Sequence, residues 1–459
     1  MFSLMLIVFI IGYLAIIFES NIKISKTASA LFMGVAVWVV YSLNGFDILS
    51  LGYSHSWHEF LSTHPNANSI IGAADFILNT ELYSHLSEVA SIVFFLLGAM
   101  TIVEIIDRYQ GFKVITQKIH QGSRVKLLWI IGILAFVMSS VLDNLTTTIV
   151  IISLLNKLIS AKEERWLIGG IVVIAANAGG AWSPIGDVTT IMLWIGEQVT
   201  TVSLIKAVLL PSIVNVLVPL IIASFYVKGQ AVKPTLDQEE TKVFTTPFER
   251  NLVFFLGVAA LLFVPILKTW TGLPPYMGML LGLSIMWTLT EVISRRKRKA
   301  EDRRRLNPGY IIKKLDTPTI LYFTGILLAV AALASAGQLD LIAEYLDEHI
   351  GNIYGINLAI GALSSVVDNS SLVAATMGMY ETAQAGATGY LSNFVQNGDF
   401  WTFLTYCAGT GGSMMIIGSA AGVAAMGIDR IPFGWYLKKI SWMAFIGFLA
   451  GALTFYLIN

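Results

Sequence analysis

The chain has 459 residues, of which 56% are hydrophobic and only 13% charged, against about 25% charged in soluble domains. A mean hydropathy of +0.73 belongs to a protein whose solvent is mostly lipid. Lys+Arg and Asp+Glu number 29 each, a balance that gives no support to a nucleic-acid binder, and a single cysteine, Cys407, excludes a disulfide framework and a cysteine-held zinc or iron–sulfur centre.

Crossing a bilayer takes about 20 mostly apolar residues. Such runs lie at about 3–18, 28–45, 89–107, 207–227, 251–270, 273–293, 318–336 and 434–458. The first is slightly short. It lacks the basic start and small-residue cleavage site of a signal peptide, and Glu19 and Asn21 follow it directly, so it reads as a membrane helix. Lys and Arg mark the cytoplasmic side. None occurs between Lys26 and Arg108 or between Lys314 and Arg430, whereas ten lie from Arg295 to Lys314. That basic stretch, Lys23/Lys26, the segment Arg108–Lys126 and the linker from Lys228 to Arg250 are therefore expected inside. The loop from Asp47 to Ser87 and the segment from Glu381 to Phe400 are expected outside. His55, His58 and His64 read as part of a polar outer loop rather than a metal site. The basic stretch reads as a topology anchor, with contact to anionic lipid secondary.

Two apolar stretches are too short to span. Leu127–Leu142 leads into Asp143-Asn144, and Leu145–Leu158 leads away. Sixteen helical residues reach about 24 Å at roughly 1.5 Å each. Basic residues flank both ends: Arg124 and Lys126 before, Lys157, Lys162 and Arg165 after. This predicts a re-entrant hairpin over about 127–158, its tip at Asp143-Asn144-Leu145-Thr146-Thr147. A second hairpin is predicted over about 356–380, with Asp368-Asn369-Ser370-Ser371 at the tip and no basic flank, so it enters from outside. An apolar stretch cut by glycines follows each hairpin, over about 166–205 and about 401–427. Asn177-Ala178-Gly179-Gly180-Ala181-Trp182-Ser183-Pro184-Ile185-Gly186-Asp187 and Gly409-Thr410-Gly411-Gly412-Ser413-Met414-Met415-Ile416-Ile417-Gly418-Ser419 share Gly-Gly-x4-Ile-Gly-[Asp/Ser]. Pro184 and the glycines weaken a helix there and free backbone groups to find other partners.

The same order of elements thus occurs twice: in residues 1–228, and in residues 251–459 after a cytoplasmic linker at 229–250. Each repeat crosses five times, so the second is inverted, and ten crossings put both termini outside. The expected fold is an all-α integral membrane protein of about ten transmembrane helices plus two re-entrant hairpins, in two inverted-topology repeats with broken helices. That arrangement points to a multi-pass secondary transporter with its site at the repeat interface.

Asp143, Asp187 and Asp368 lie in apolar surroundings, where carboxylates are costly and functional by default. No Lys or Arg lies near these motifs in the sequence. The candidate partners are a cation, a proton, or the neutral oxygens of Asn144, Thr146, Thr147, Asn177, Thr189, Thr190, Ser364, Ser365, Asn369, Ser370, Ser413 and Ser419. A small hard cation wants such oxygens, and Na+ is placed at Asp143, Asn144, Asp187, Asp368 and Asn369. Burial disfavours a charged carboxylate and a bound cation favours it, so one carboxylate can hold either H+ or Na+, and the competition couples their opposite movements. Asp143 and Asp368 also suit helix N-caps, a role compatible with ion binding. The glycines also suit close helix packing. Glu104 has Arg108 four residues on, the spacing of a helical ion pair; Glu88 sits at the outer end of its span. Both are secondary candidates for transport. No cofactor is expected.

Phe94-Phe95-Leu96-Leu97-Gly98-Ala99-Met100-Thr101-Ile102-Val103-Glu104-Ile105-Ile106-Asp107 resembles a characteristic stretch of the NhaD-type Na+/H+ antiporters. So do Asp143-Asn144-Leu145-Thr146-Thr147-Thr148, the run from Gly179 to Thr190, and Asp368-Asn369. Glu19 before Lys23-Ile24-Ser25-Lys26 is similar too. The resemblance covers about residues 4 to 455. It implies membership of the ion-transporter superfamily that includes arsenite and dicarboxylate carriers. It implies exchange of Na+ or Li+ for H+ at a bacterial inner membrane, for pH homeostasis and salt tolerance, and a homodimer. It carries over Asp143, Asn144, Asn177, Asp187, Thr189, Thr190, Ser364 and Asn369, with Glu88 less directly. One asymmetry stands out: Ser419 takes the place of Asp187 in the second repeat. The rivals are an arsenite carrier and a dicarboxylate or other anion carrier; Asp at both tips argues against the anion. No Gly-x-Ser-x-Gly, His-Glu-x-x-His or Walker A motif supports a hydrolase or an ATP-driven pump.

Overall fold

In lipid no water satisfies a backbone N–H or C=O, so an apolar chain of this composition must close its hydrogen bonds within helices. The computed structural model describes residues 1–116, 123–227, 245–297 and 299–459. Among the described residues the β-type pairing is one isolated bridge, Ala383 to Val395. This is an all-α integral membrane protein. Among the described residues, the helices long and apolar enough to cross a membrane are Lys26–Leu43, Ile70–Arg108, Arg124–Leu142, Thr201–Tyr226, Pro247–Thr271, Pro275–Arg295, Thr317–Ser335 and Ser441–Ile458.

The N-terminal helix, Phe2–Ile17, has 16 residues and is slightly short of a span, as expected. Two boundaries differ from expectation. Arg124–Leu142, expected as a short hairpin arm, has 19 residues. That is about 28 Å, because Arg124, Val125 and Lys126 join the helix. The expected last span, 434–458, is two helices, Phe433–Lys439 and Ser441–Ile458, parted at Ile440. Lys438 and Lys439 close the first piece, where a helix C-terminus favours cations. The predicted linker lies outside the described residues up to 244. At its described end Glu249 N–H donates to Thr246 Oγ1 (3.2 Å) and Thr246 N–H to Glu249 Oε2 (2.8 Å), a capping box opening the helix at Pro247.

The chain forms two compact units, each drawing on both halves of the sequence. The smaller comprises residues 1–94, 316–356 and 370–395. In it Lys26–Leu43 and Thr317–Ser335 cross at a glycine pair. A Cβ on Gly34 would lie 2.5 Å from the Gly325 carbonyl oxygen, so the backbones touch there as small residues allow. Trp38 Nε1 donates to the Leu328 carbonyl (2.8 Å) along the same seam.

The larger unit comprises residues 95–315, 357–369 and 396–459. Here Thr201–Tyr226 stays helical through Pro211 and Pro219. Gly447 and Gly451 face those prolines: a Cβ on either would lie 2.5 Å from Asn215 O or 2.6 Å from Pro211 O, respectively. The first hairpin tip, Asp368 and Asn369 of the second, and both glycine-cut helices belong to this unit.

Candidate functional site

The first glycine-cut helix runs Lys162–Ala181, breaks, and resumes as Val188–Ile195. Asp187 caps the second piece. Its Oδ1 accepts from Thr189 N–H (3.2 Å), and Thr190 Oγ1 returns to the Asp187 backbone. The second runs Asp399–Gly411 and resumes as Ala420–Asp429, with Ser419 Oγ accepting from Gly422 N–H (3.2 Å). Asp187 and Ser419 therefore hold matching places.

Matching contacts place the hairpins against the breaks. A Cβ on Gly179 would overlap the Phe136 carbonyl oxygen, and one on Gly411 would overlap that of Gly361. Gly186 packs on the Ser139 carbonyl, Gly418 on those of Ser364 and Ser365. Ser139 Oγ donates to Ala176 O (2.5 Å), and Ser364 Oγ donates to Ala408 O (2.8 Å). The glycines serve close packing here, and that packing is what brings the tips to the breaks.

At the first tip the chain turns through Asp143 at φ 71°, ψ 161°, a region nearly reserved for glycine and costing of order 1–3 kcal/mol. The Asp143 carboxylate accepts from Thr146 N–H (2.7 Å) and Thr146 Oγ1 (2.9 Å), so it caps Asn144–Leu158 as expected. The turn sends the next side chain inward. Asn144 Nδ2 donates to Asp187 Oδ2 (2.9 Å) and to Asn177 Oδ1 (3.1 Å). From the second tip, Asn369 Nδ2 donates to the same Asp187 Oδ2 (3.1 Å). Asn177 Nδ2 reaches on to Ser413 Oγ and Ser419 Oγ, each at 2.9 Å.

One carboxylate oxygen is thus the meeting point of both tips. Asp187 is 2% exposed, while Asp143 and Asp368 are half-buried. Both lie within Coulombic reach of Asp187. Asp143 and Asp187 make no ion pair with a basic side chain among the described residues. The hydroxyls of Thr147 and Thr189 are buried and have no hydrogen-bond partner among the described residues. Buried polar atoms are normally satisfied, so these two oxygens have capacity for a ligand.

Of the sequence candidates, the structure joins Asn144, Asn177, Asp187, Asn369, Ser413 and Ser419 in one hydrogen-bonded network. Thr146 and Thr190 complete caps, and Ser364 braces the second hairpin. Glu104 is elsewhere, paired with Arg108 (2.7 Å). Glu88 is exposed in the smaller unit, 3.4 Å from His85. Sequence reasoning missed Ser139. The signal was present: Ser139-Ser140-Val141-Leu142-Asp143-Asn144 repeats as Ser364-Ser365-Val366-Val367-Asp368-Asn369. It also missed Tyr436, whose hydroxyl donates to the Ser413 carbonyl (2.8 Å) beneath the network.

A family model described as "Citrate transporter" matches residues 6–397. The chain is 44% identical to "Sodium/proton antiporter 2" of Arabidopsis thaliana over 99% of each protein. It is also 44% identical to "Sodium/proton antiporter 1" of the same plant, over 99% of this chain and 72% of the relative. It is 28% identical to "Na(+)/H(+) antiporter NhaD" of Alkalimonas amylolytica, over 96% of this chain and 88% of the relative. With a family match across most of its length and full-length relatives at 44% identity, the chain belongs to the citrate-transporter family and, within it, to the NhaD-type sodium/proton antiporters.

Proposed function

We propose that this protein exchanges Na+ for H+ across the membrane it spans, through alternate occupancy of the Asp187 carboxylate. The carrying observation is that Asp187 Oδ2, buried, receives amides from both hairpin tips. An amide bears both an N–H donor face and a carbonyl acceptor. With N–H turned inward, Asn144 and Asn369 hold the bare carboxylate. With the carbonyl turned inward, the same two residues give neutral oxygens to Na+ beside Asp187, and Asp143 and Asp368 supply further negative charge. Thr147 and Thr189 add hydroxyl oxygens. Protonation of the carboxylate removes the charge that holds Na+, so each ion expels the other. The sodium/proton antiporter names of the relatives support this reading, and three carboxylates would repel a dicarboxylate or another anion.

Li+ is proposed as a second substrate, since it seeks the same hard oxygens. Support for ten crossings, re-entrant hairpins and inverted repeats comes from charge placement and from the matching contacts at the two breaks. A bacterial inner membrane and a homodimer are proposed after the resemblance to the bacterial NhaD proteins, and both termini outside after the ten crossings.

The test is dequenching of a pH dye in everted vesicles, with Na+, Li+, K+, arsenite and succinate added in turn. Signals with Na+ and Li+ support the exchanger; silence with both, or a signal with succinate alone, overturns it. Two variants refine the site. Asp143→Ala loses a helix cap, at about 1 kcal/mol, whereas Asp143→Asn keeps it. If Asp143 binds the ion, Asn lowers exchange as far as Ala does; full exchange by Asn leaves Asp143 as a cap alone. Thr189→Val removes a hydroxyl with no hydrogen-bond partner among the described residues, so the thermal stability of purified protein should change little. The Na+ concentration for half-maximal dequenching should rise several-fold, and Thr189→Ser should restore it.

A further inference from the structure

The sodium site leaves one strongly charged region of the larger unit unused: the basic stretch after Pro275–Arg295. Its charges sort into two sets. Arg295 pairs with Glu291 (2.5 Å), Lys297 with Glu249 (2.6 Å) and Arg305 with Glu301 (2.6 Å). Arg303, Arg304 and Lys313 make no ion pair with a carboxylate among the described residues, and all three are exposed. These three line one shallow cavity of about 450 Å³, with Asn307 and Tyr310. No carboxylate lines it.

Three contacts shape the cavity. Arg304 lies over the Tyr310 ring, 5.3 Å from its centroid, which orients a guanidinium that would otherwise sample many rotamers. Asn307 Oδ1 accepts from Gly309 N–H (2.9 Å) and fixes the turn. The Tyr109 hydroxyl lies 3.0 Å from the Thr290 carbonyl and 3.2 Å from that of Leu306. It therefore ties the cavity's helix, Ala300–Leu306, to the last turns of the span. Those turns expose Ile285 and Val292, and a basic stretch directly after an apolar span is expected at the level of the headgroups. Planar guanidinium groups favour phosphate oxygens.

We propose that this cavity binds the phosphate headgroup of an anionic phospholipid, held by Arg303, Arg304 and Lys313. Free inorganic phosphate shares that chemistry, and the experiment separates the two. The full chain is purified and examined by native mass spectrometry after addition of phosphatidylglycerol, cardiolipin or phosphatidylcholine, with and without inorganic phosphate. The variants are a triple Arg303→Ala, Arg304→Ala, Lys313→Ala and a charge-keeping triple Arg303→Lys, Arg304→Lys, Lys313→Arg. Each basic group at an anionic surface contributes roughly fivefold, so the alanine triple should retain anionic lipid about a hundredfold less well. The charge-keeping triple should hold most of it, phosphatidylcholine should be unaffected, and added phosphate should not compete. Equal retention by native protein and alanine triple overturns the site. Displacement of the lipid by inorganic phosphate reassigns the cavity to a free anion and overturns the lipid. Thermal melting of both triples alongside the native chain shows whether a loss reflects misfolding. If the alanine triple alone melts early, single Arg303→Ala and Lys313→Ala chains are read instead; full retention by both overturns the proposal.

Discussion

Replacing Asp187 by Asn abolishes Na+-dependent dequenching at every pH while leaving the protein folded. The two halves of this expectation have separate physical grounds. Asn and Asp are about equally good N-caps, so Val188–Ile195 keeps its start. Both amides donate to Oδ2, so when the new carbonyl keeps the cap in the Oδ1 place, the new NH2 faces them and each must turn its own carbonyl inward, a change of about 1 kcal/mol for each hydrogen bond. That is small against a typical folding free energy. The function, however, needs a group that can be charged or protonated in turn, and an amide is neither. The check is the dye assay in vesicles matched for the amount of membrane-inserted protein, with Na+ and Li+ from acid to alkaline pH. Retained exchange of ordinary size sinks Asp187 as the exchange site.

The second large effect is structural. Gly179→Ala and Gly411→Ala each drive a methyl group into a backbone carbonyl, that of Phe136 or Gly361. Neither neighbour is a side-chain tip that can turn aside, so a hairpin must move away from its broken helix. Overpacking of this kind costs about 1–3 kcal/mol or more. The same shift withdraws Asn144 or Asn369 from Asp187. Both variants should melt several degrees lower in detergent and lose exchange. Gly427→Ala is the control. It lies in the Ala420–Asp429 helix with nothing within 4 Å of an added Cβ. There alanine should hold or raise stability by roughly 0.5–1 kcal/mol. An unchanged melting temperature for Gly179→Ala would mean that the tip does not need its close contact.

The helices were legible because lipid imposes one rule on every apolar run. Errors came at the ends. Arg124 and Lys126 read as flanks yet belong to the helix, since long basic side chains can lie along it and reach polar surroundings. Ile440 interrupts the last helix with no glycine or proline to announce it. The tips and breaks were legible because Asp-Asn and Gly-Gly motifs recur in the same order. What those residues touch was not legible. Asn177 lies 236 and 242 residues from Ser413 and Ser419, and only the folded packing selects those hydroxyls among many. The compact units each mix distant segments, so sequence order speaks to repetition and says little about contact. Ser139 is a different kind of miss: its match to Ser364 lies in the sequence, four residues before each tip aspartate.

Asp187 and Ser419 hold equivalent caps, and only one bears a charge. Each sits at a helix start, where unpaired N–H groups carry partial positive charge. With a hydroxyl at both places, two such starts linked through Asn177 would favour an anion. With one carboxylate the preference turns to a cation. Asp187 thus turns one of two matching helix starts toward a cation, beside the charges that Asp143 and Asp368 already bring, while the packing of glycines and hairpins is alike at both.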